Sequence, residues 1–221
     1  MLMAYLIGIM GESGSGKTTS LRNLDPSSTF IIDADGKGLA WRGWKKQYSV
    51  EQVNYKRVDS QSEIVQLLQD INANAPHIKV VVIDTLNGVM VAEEAAASGM
   101  KGFEKWSELA WGIWAIVTTA LDMRDDLIVV MTAHSVTITD ENGQSFTRIL
   151  TNGRKLEKLS IESKMPCVLH AYRDEASGNY VFGVHARNST AKTPLGLYDE
   201  TETIPNDIAT VIQDIKEYLE G

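Results

Sequence analysis

The chain has 221 residues, of which 43% are hydrophobic and 23% are charged, and these fractions exclude a disordered, collagen-like or coiled-coil protein as a whole. The net charge of −8 argues against a protein that holds nucleic acid by bulk positive charge. The single cysteine, Cys167, excludes an internal disulfide framework or a cysteine-rich zinc site and is typical of a reducing, intracellular compartment.

Short apolar runs alternate with amphipathic stretches through the first two-thirds of the chain, a pattern typical of a parallel sheet covered by helices. The apolar residues at the N-terminus run straight into a glycine-rich loop, so we expect them to form a first strand rather than a signal peptide. Strands are predicted at residues 5–10, 29–32, 80–83 and 127–131, and helices at residues 17–24, 62–71 and 108–123.

The last third of the chain has a different pattern of apolar and polar residues. Residues 136–149 alternate around Glu141-Asn142-Gly143, and residues 168–173 and 180–185 flank Ser177-Gly178-Asn179, so two hairpins are predicted. A final amphipathic helix is predicted at residues 208–219. The fold class is therefore α/β, with a mostly parallel sheet flanked by helices and with C-terminal antiparallel hairpins.

Two regions follow from composition. We expect one domain over residues 1–198 and an acidic C-terminal helix within residues 199–221, which hold seven acidic residues and one lysine. Residues 145–192 hold eight basic and four acidic residues. The acidity is therefore concentrated at the C-terminus, and the overall charge does not exclude a nucleic-acid partner.

One segment satisfies the phosphate-loop pattern G-x-x-x-x-G-K-[ST] in full. The glycines allow successive N–H groups to face phosphate oxygens, Lys17 reaches the β- and γ-phosphates, and Thr18 offers its hydroxyl to Mg²⁺. A predicted strand precedes the loop and a predicted helix follows it, as the pattern requires. The expected nucleotide-binding residues are Gly11, Glu12, Ser13, Gly14, Ser15, Gly16, Lys17, Thr18 and Thr19.

Acidic residues follow two of the predicted strands. Asp84 comes directly after the run at 80–83 and is expected to hold Mg²⁺ together with Thr18, the alternative being a turn or helix cap. Asp33 and Asp35 follow the strand at 29–32 and, being two residues apart, are expected to share one face. Either is a candidate to orient or deprotonate water. The alternative is loop solvation and capping of the next helix.

His134 follows the predicted strand at 127–131. Ligands bind at the carboxyl ends of the strands in such sheets. His134 is therefore a candidate sensor of the γ-phosphate, and the alternative is a structural histidine.

Four blocks of sequence, in this order, resemble the RecA-like ATPases. Residues 11–19 look like their phosphate loop, and residues 30–35 look like the strand that ends in their catalytic acid, with Asp35 where the family usually has Glu. Residues 80–85 look like their second acidic motif, and residues 130–134 look like the strand that ends in a nucleotide-sensing residue, usually Gln and here His134. More narrowly, the chain is similar to short phage-encoded AAA-like ATPases, some of which act as single-strand annealing proteins.

The resemblance implies a RecA-like P-loop NTPase core that binds and hydrolyses ATP with Mg²⁺, in the cytoplasm of a bacterial host. It also implies a homo-oligomer with ATP at the subunit interface, where a basic residue of the neighbouring subunit completes the site. Arg187 and Lys192 are the candidates for that residue, the alternative being solvated loop charges. Because no stretch approaches ~18 apolar residues, we expect no membrane partner.

RecA-like proteins contact DNA through the loops after the second acidic motif and after the sensor strand, here residues 87–106 and 135–158. The resemblance therefore implies single-stranded DNA as a partner and a role in phage DNA recombination or annealing. Basic residues suit phosphate contacts and aromatic residues suit base stacking. The candidates are Lys101, Lys105, Arg148, Arg154, Lys155 and Lys158, with Phe103, Trp106 and Phe146, and the alternative for these aromatic residues is packing in the core or the lid.

Two other functions remain open. A small-molecule or nucleotide kinase shares the phosphate loop and closes a basic lid, for which residues 147–158 are the candidate. A nucleotide-switched assembly module without significant turnover is favoured by the short acidic side chain at Asp35.

Overall fold

The computed structural model describes residues 3–99, 103–152 and 158–221, except for the side chains of 103–105. These residues form a nine-stranded sheet with the order β3-β2-β4-β5-β1-β7-β8-β9, and β6 pairs with the distal half of β5. The strands are β1 (Tyr5–Gly11), β2 (Thr29–Asp33), β3 (Tyr55–Arg57), β4 (Val80–Asp84), β5 (Ile128–Thr139), β6 (Ser145–Ile149), β7 (Cys167–Arg173), β8 (Tyr180–Gly183) and β9 (Thr203–Pro205).

The six strands from β3 to β7 in this order run parallel, and β8 and β9 then add antiparallel to β7. The antiparallel ribbon of β5 and β6 extends beyond the parallel part of the sheet. This topology confirms the predicted fold class.

Helices cover both faces of the sheet, because the strands at its centre are apolar on both sides. In β1, Leu6 and Met10 pack with the helices of one face, whereas Ile7 and Ile9 pack with the C-terminal helix on the other. The helices are α1 (Gln61–Asn74), α2 (Leu86–Ala96), α3 (Phe103–Leu121) and α4 (Ile208–Glu220), and short 3-10 helices occupy Thr19–Asn23, Trp44–Lys46, Ala97–Gly99 and Ile161–Lys164.

Residues 199–221 belong to the same packed unit. Strand β9 pairs with β8, and α4 buries Ile208, Val211 and Ile215 against the sheet. Asp207 caps α4 by accepting a hydrogen bond from the N–H of Ala209 (3.1 Å). Part of the C-terminal acidity therefore has a structural role.

Three predicted elements differ in extent from the observed ones. The helix predicted at 17–24 is only the 3-10 helix Thr19–Asn23, which ends shortly before Pro26, a residue that disfavours continued helix. The strand predicted at 127–131 continues to Thr139 and forms one side of the ribbon. The lid candidate at 147–158 begins inside β6, and its residues 153–157 lie outside the described residues.

The prediction that residues 87–106 form a DNA-contacting loop is wrong, because α2 and the start of α3 occupy most of this range. Thr85 caps α2, and its side chain accepts a hydrogen bond from the N–H of Gly88 (3.1 Å). Lys101 and Gly102, the side chains of Phe103 and Lys105, and Arg154 and Lys155 lie outside the described residues. Within the described ranges, no helix has the length and apolarity needed to cross a membrane.

Candidate functional site

The loop that follows β1 needs glycine at three of its positions. A Cβ on Gly11 would lie 2.4 Å from the carbonyl oxygen of Ala171, and Gly14 and Gly16 adopt φ angles of 79° and 94°. Both angles fall in the left-handed region that other residues rarely adopt. Ser15 lies buried in the same loop, and no described residue hydrogen-bonds its Oγ. The loop is therefore a tight concave turn with a spare polar group, which fits a bound anion.

Lys17 folds back across this loop. Its Nζ donates to the carbonyl oxygens of Gly11 (2.8 Å) and Glu12 (2.7 Å). Burial lowers the pKa of Lys17 to about 8, although the nearby Asp84 carboxylate acts in the opposite direction. A phosphate group in the loop would replace weak carbonyl partners with charged oxygens, and such charge-assisted hydrogen bonds are stronger.

Asp84 at the end of β4 binds hydroxyl groups from two directions. Thr18 Oγ1 donates to Asp84 Oδ2 (2.8 Å), and Thr132 Oγ1 on β5 donates to the other carboxylate oxygen. Burial raises the pKa of Asp84, and the two hydroxyl donors partly oppose that effect. The predicted metal-binding pair, Thr18 and Asp84, is therefore brought together.

These two residues supply the oxygen donors that Mg²⁺ prefers. Among the described residues there is no cluster of three metal-binding His, Cys, Asp or Glu side chains. The arrangement fits Mg²⁺ that keeps most of its water and phosphate ligands.

Asp33 holds the loop that follows β2. Its Oδ1 accepts from the N–H of Gly36 (2.8 Å), and its Oδ2 accepts from the N–H of Gly38 (2.8 Å) and from the hydroxyl of Tyr55 (2.6 Å). The side chain is fully buried. Both carboxylate oxygens are thus engaged within the protein.

Asp35 faces a different set of partners. One carboxylate oxygen accepts from Thr85 Oγ1 (2.9 Å), and the other pairs with the ammonium group of Lys37. Burial acts to raise the pKa of Asp35, but the hydrogen bonds from Lys37 and Thr85 outweigh it, and the pKa is lowered.

The expectation that Asp33 and Asp35 share one face is wrong. Strand β2 ends at Asp33, because the N–H groups of Ala34 (2.8 Å) and Asp35 (3.4 Å) both turn toward the carbonyl oxygen of Asp84.

His134 lies opposite Gly11 in the register of β5 and β1. Its N–H donates to Asn87 Oδ1 (2.6 Å), so α2 fixes the backbone at this position. Burial lowers the pKa of His134, and the charge of Lys17 lowers it further. The imidazole therefore lies within electrostatic reach of the loop, on the side of Asp84.

Arg187 and Lys192 belong to the segment that joins β8 to β9. Arg187 is 80% exposed and pairs with Glu202 (2.9 Å). The backbone of Lys192 exchanges two hydrogen bonds with Val168 (2.8 Å each), and its side chain lines a groove of about 570 Å³ together with Phe146 and Arg148. The structure thus gathers Lys17, Thr18, Asp84, Asp35 and His134 at one edge and puts these two cations on a separate segment.

An opening of about 530 Å³ adjoins the loop on its other side, and Thr19, Arg22, Tyr180 and Asn206 contribute to its lining. Tyr180 is 48% exposed, and its ring lies 3.1 Å from the position that a Cβ on Gly16 would occupy. Asn206 is buried, and its Nδ2 has no hydrogen-bond partner among the described residues.

Lys37, Thr132 and Tyr180 were missed in the sequence analysis. Lys37 stands between two glycines directly after the Asp33–Asp35 pair, and Thr132 follows an apolar run. Both residues could therefore have been identified as candidates from the sequence. Tyr180 left no such signal, because its contacts at the site come from distant parts of the chain.

A family model described as an AAA domain matches residues 3–195 of the chain. No curated protein matches it significantly.

Proposed function

The chain belongs to the AAA domain family, and from this premise we propose that it binds ATP with Mg²⁺ in the loop at residues 11–18 and hydrolyses the nucleotide. The observation that carries the proposal is the meeting of Lys17, Thr18 and Asp84 at the carboxyl ends of β1 and β4. A phosphate chain needs these groups together: N–H donors, a lysine and an oxygen pair for the cation.

Each residue has a distinct task in this proposal. The loop N–H groups bind the α- and β-phosphates. The ammonium group of Lys17 leaves the carbonyl oxygens of Gly11 and Glu12 and binds oxygens of the β- and γ-phosphates. Thr18 and Asp84 would hold Mg²⁺, which when bound neutralises charge on the β- and γ-phosphates.

Asp35 is the group we assign to orienting the attacking water. Asp33 is the poorer candidate, because three hydrogen bonds within the protein already occupy its two oxygens. The Asp35 side chain is 18% exposed and lies within electrostatic reach of His134, so a water between Asp35 and the terminal phosphate would be shielded from bulk solvent. His134 is the candidate sensor of that phosphate.

The sheet order supports one position for the nucleoside in this proposal. Asp84 on β4 stands two strands to one side of β1, and Tyr180 on β8 stands two strands to the other side. A nucleotide whose γ-phosphate lies near Asp84 therefore has its nucleoside near β8 and β9. There Tyr180 is available to stack on a base.

Asn206 favours adenine in that opening. The side-chain amide of Asn206 presents an NH₂ donor group beside a carbonyl acceptor. Adenine presents the complementary N7 acceptor and amino donor along one edge. Guanine presents two acceptors on that edge. The unpaired Nδ2 of Asn206 also gains a partner when a base binds.

Single-stranded DNA is the proposed partner, in the groove that Phe146, Arg148 and Lys192 help to line. Phe146 is 44% exposed on the β5–β6 ribbon, which suits stacking, and two cations in the same groove suit a phosphate backbone. A role in recombination or annealing rests on this groove and on the resemblance to RecA-like proteins.

Assembly with ATP at a subunit interface is the remaining part of the proposal. A trans-acting cation must be exposed on its own subunit, and Arg187 meets that condition. Its pairing with Glu202 is at the surface and is therefore exchangeable at little cost.

Calorimetry with ATP and with inorganic tripolyphosphate, followed by a phosphate-release assay, tests the proposal. We expect both ligands to bind in the presence of Mg²⁺ and ATP to be hydrolysed. Absence of binding by both ligands would overturn the proposed function. Binding without turnover would instead favour a nucleotide-switched module.

A further inference from the structure

Lys37 is displayed by a loop that is fixed on both sides of it. The carboxylate of Asp33 accepts hydrogen bonds from the N–H groups of Gly36 and Gly38 (2.8 Å each), the two neighbours of Lys37. Both glycines have positive φ angles, 65° and 79°. A Cβ would lie 2.4 Å from the Arg57 guanidinium at Gly36 and 2.7 Å from the Trp44 ring at Gly38. The backbone around Lys37 is therefore strongly constrained.

The ammonium group of Lys37 pairs with Asp35, which we assign to the attacking water. The pKa of Lys37 is raised: burial acts to lower it, but the bond to Asp35 and the charges of Asp84 and Asp33 outweigh that effect. Lys37 also acts with Lys17 to lower the pKa of His134. Because Asp35 also accepts a hydrogen bond from Thr85, the residue after Asp84, Lys37 is a second cation on the Asp84 side of the site.

The side chain of Lys37 is about half exposed, so its ammonium group is free to change partner. A γ-phosphate between Lys17, Asp84 and His134 presents more negative charge than the single carboxylate of Asp35. Charge-assisted bonds to a phosphate are strong, and lysine binds phosphate as a mobile point charge.

We propose that Lys37 is a cation acting within its own subunit that transfers from Asp35 to the terminal phosphate when a nucleoside triphosphate binds. The inference rests on the proposed function and deepens it. The transfer leaves an oxygen of Asp35 free to accept a proton from water. The water oxygen then forms a bond to the γ-phosphorus, the bond from that phosphorus to the β–γ bridging oxygen breaks, and ADP and phosphate leave.

A nucleoside diphosphate has no γ-phosphate and gives Lys37 no new partner. Lys37 therefore distinguishes triphosphate from diphosphate, whereas Lys17 binds both. An ion pair with a purely structural role would make no such distinction.

Binding of a non-hydrolysable ATP analogue and of ADP to Lys37→Ala, Lys37→Arg and Asp35→Asn tests this inference. We expect Lys37→Ala to weaken analogue binding by about tenfold or more while ADP binding stays within about twofold, and Lys37→Arg to retain most of the affinity. Asp35→Asn breaks the same ion pair but releases Lys37, so analogue binding is expected to hold or to tighten.

Lys45→Ala is the matched control, because Lys45 lies on the neighbouring 3-10 helix and contacts Trp44. Equal effects of Lys37→Ala on analogue and ADP, or equal weakening by Lys37→Ala and Asp35→Asn, would overturn the inference. If the unsubstituted protein binds neither ligand, the proposed function itself fails, and the two failures are thereby distinguished.

Discussion

Thr18 donates a hydrogen bond to Asp84 (2.8 Å) although 66 residues separate them. Thr18 lies in the loop after β1, and β1 is not a neighbour of β4, the strand of Asp84. Strand β5 lies between β1 and β4, and its Thr132 binds the other oxygen of the same carboxylate. The hydroxyl groups of Thr18 and Thr132 thus fix the orientation of a buried acid before any ligand arrives.

Replacing Asp84 by Asn is expected to uncouple nucleotide binding from Mg²⁺. The neutral amide keeps the size of the side chain but loses the negative charge, and its NH₂ group opposes one of the two hydroxyl donors. We expect ATP affinity to become the same with Mg²⁺ and with a chelator, and turnover to fall about 100-fold or more. Calorimetry in the two conditions measures the first effect, and an affinity that still rises with Mg²⁺ would exclude Asp84 as a ligand.

Asn substitutions at Asp33 and Asp35 are expected to separate stability from turnover. Asp33→Asn disturbs three buried hydrogen bonds and should lower the free energy of unfolding by about 2–3 kcal/mol. Asp35→Asn should leave the melting temperature nearly unchanged and remove most turnover. Thermal denaturation and phosphate release measure the pair, and the reverse pattern would assign the water-orienting role to Asp33.

Tyr180→Ala is expected to weaken ATP binding without changing tripolyphosphate binding. Loss of a stacked base costs about 1–3 kcal/mol, or roughly 5- to 150-fold in affinity, and Tyr180→Phe should keep the stacking. Tyr172→Ala is the control, because Tyr172 lines a second opening of about 500 Å³ on the Glu12 side of the loop but not the first, whereas Tyr180 borders both. If Tyr172→Ala carries the larger loss, the base lies in that second opening.

Asn206→Asp is expected to reduce the preference for ATP over GTP. A carboxylate only accepts hydrogen bonds, so it loses the donor that adenine N7 requires. Competition between the two nucleotides gives the ratio of affinities. An unchanged ratio would mean that Asn206 does not contact the base.

Phe146→Ala and Lys192→Ala are expected to weaken single-stranded DNA binding in different ways. Loss of the ring should cost affinity at every salt concentration, whereas loss of the lysine should reduce the slope of log affinity against log salt by about 0.7. Ile138, directly across the ribbon from Phe146 and also exposed, supplies the control for the ring.

Lys56→Ala on the edge strand β3 is the control for the charge. Anisotropy with a labelled oligonucleotide measures all four variants. DNA binding that none of them changes would place the contact elsewhere.

The phosphate loop and the second acid were predictable because each is a local pattern tied to a strand end. The run of four β-branched residues before Asp84 and the pattern from Gly11 to Thr18 sufficed for both. The positions of Asp33 and Asp35 were not predictable from alternation, since the strand ends at Asp33 and the chain then turns toward Asp84. Helix α2 was not predicted, because a glycine near its start weakens the helical pattern formed by the buried residues Leu86, Val89 and Met90.

Strand β5 has a further consequence. It carries Thr132 and His134 beside the nucleotide loop and then continues without a break to Thr139, where it pairs with the strand of Phe146 and Arg148. A β-strand is nearly fully extended, with a rise of about 3.3 Å per residue, so it can lengthen little along its axis. A displacement of His134 along the strand axis would therefore pull the ribbon in the same direction. Under the proposed function, loss of the terminal phosphate and release of single-stranded DNA from the ribbon would therefore involve the same movement of β5.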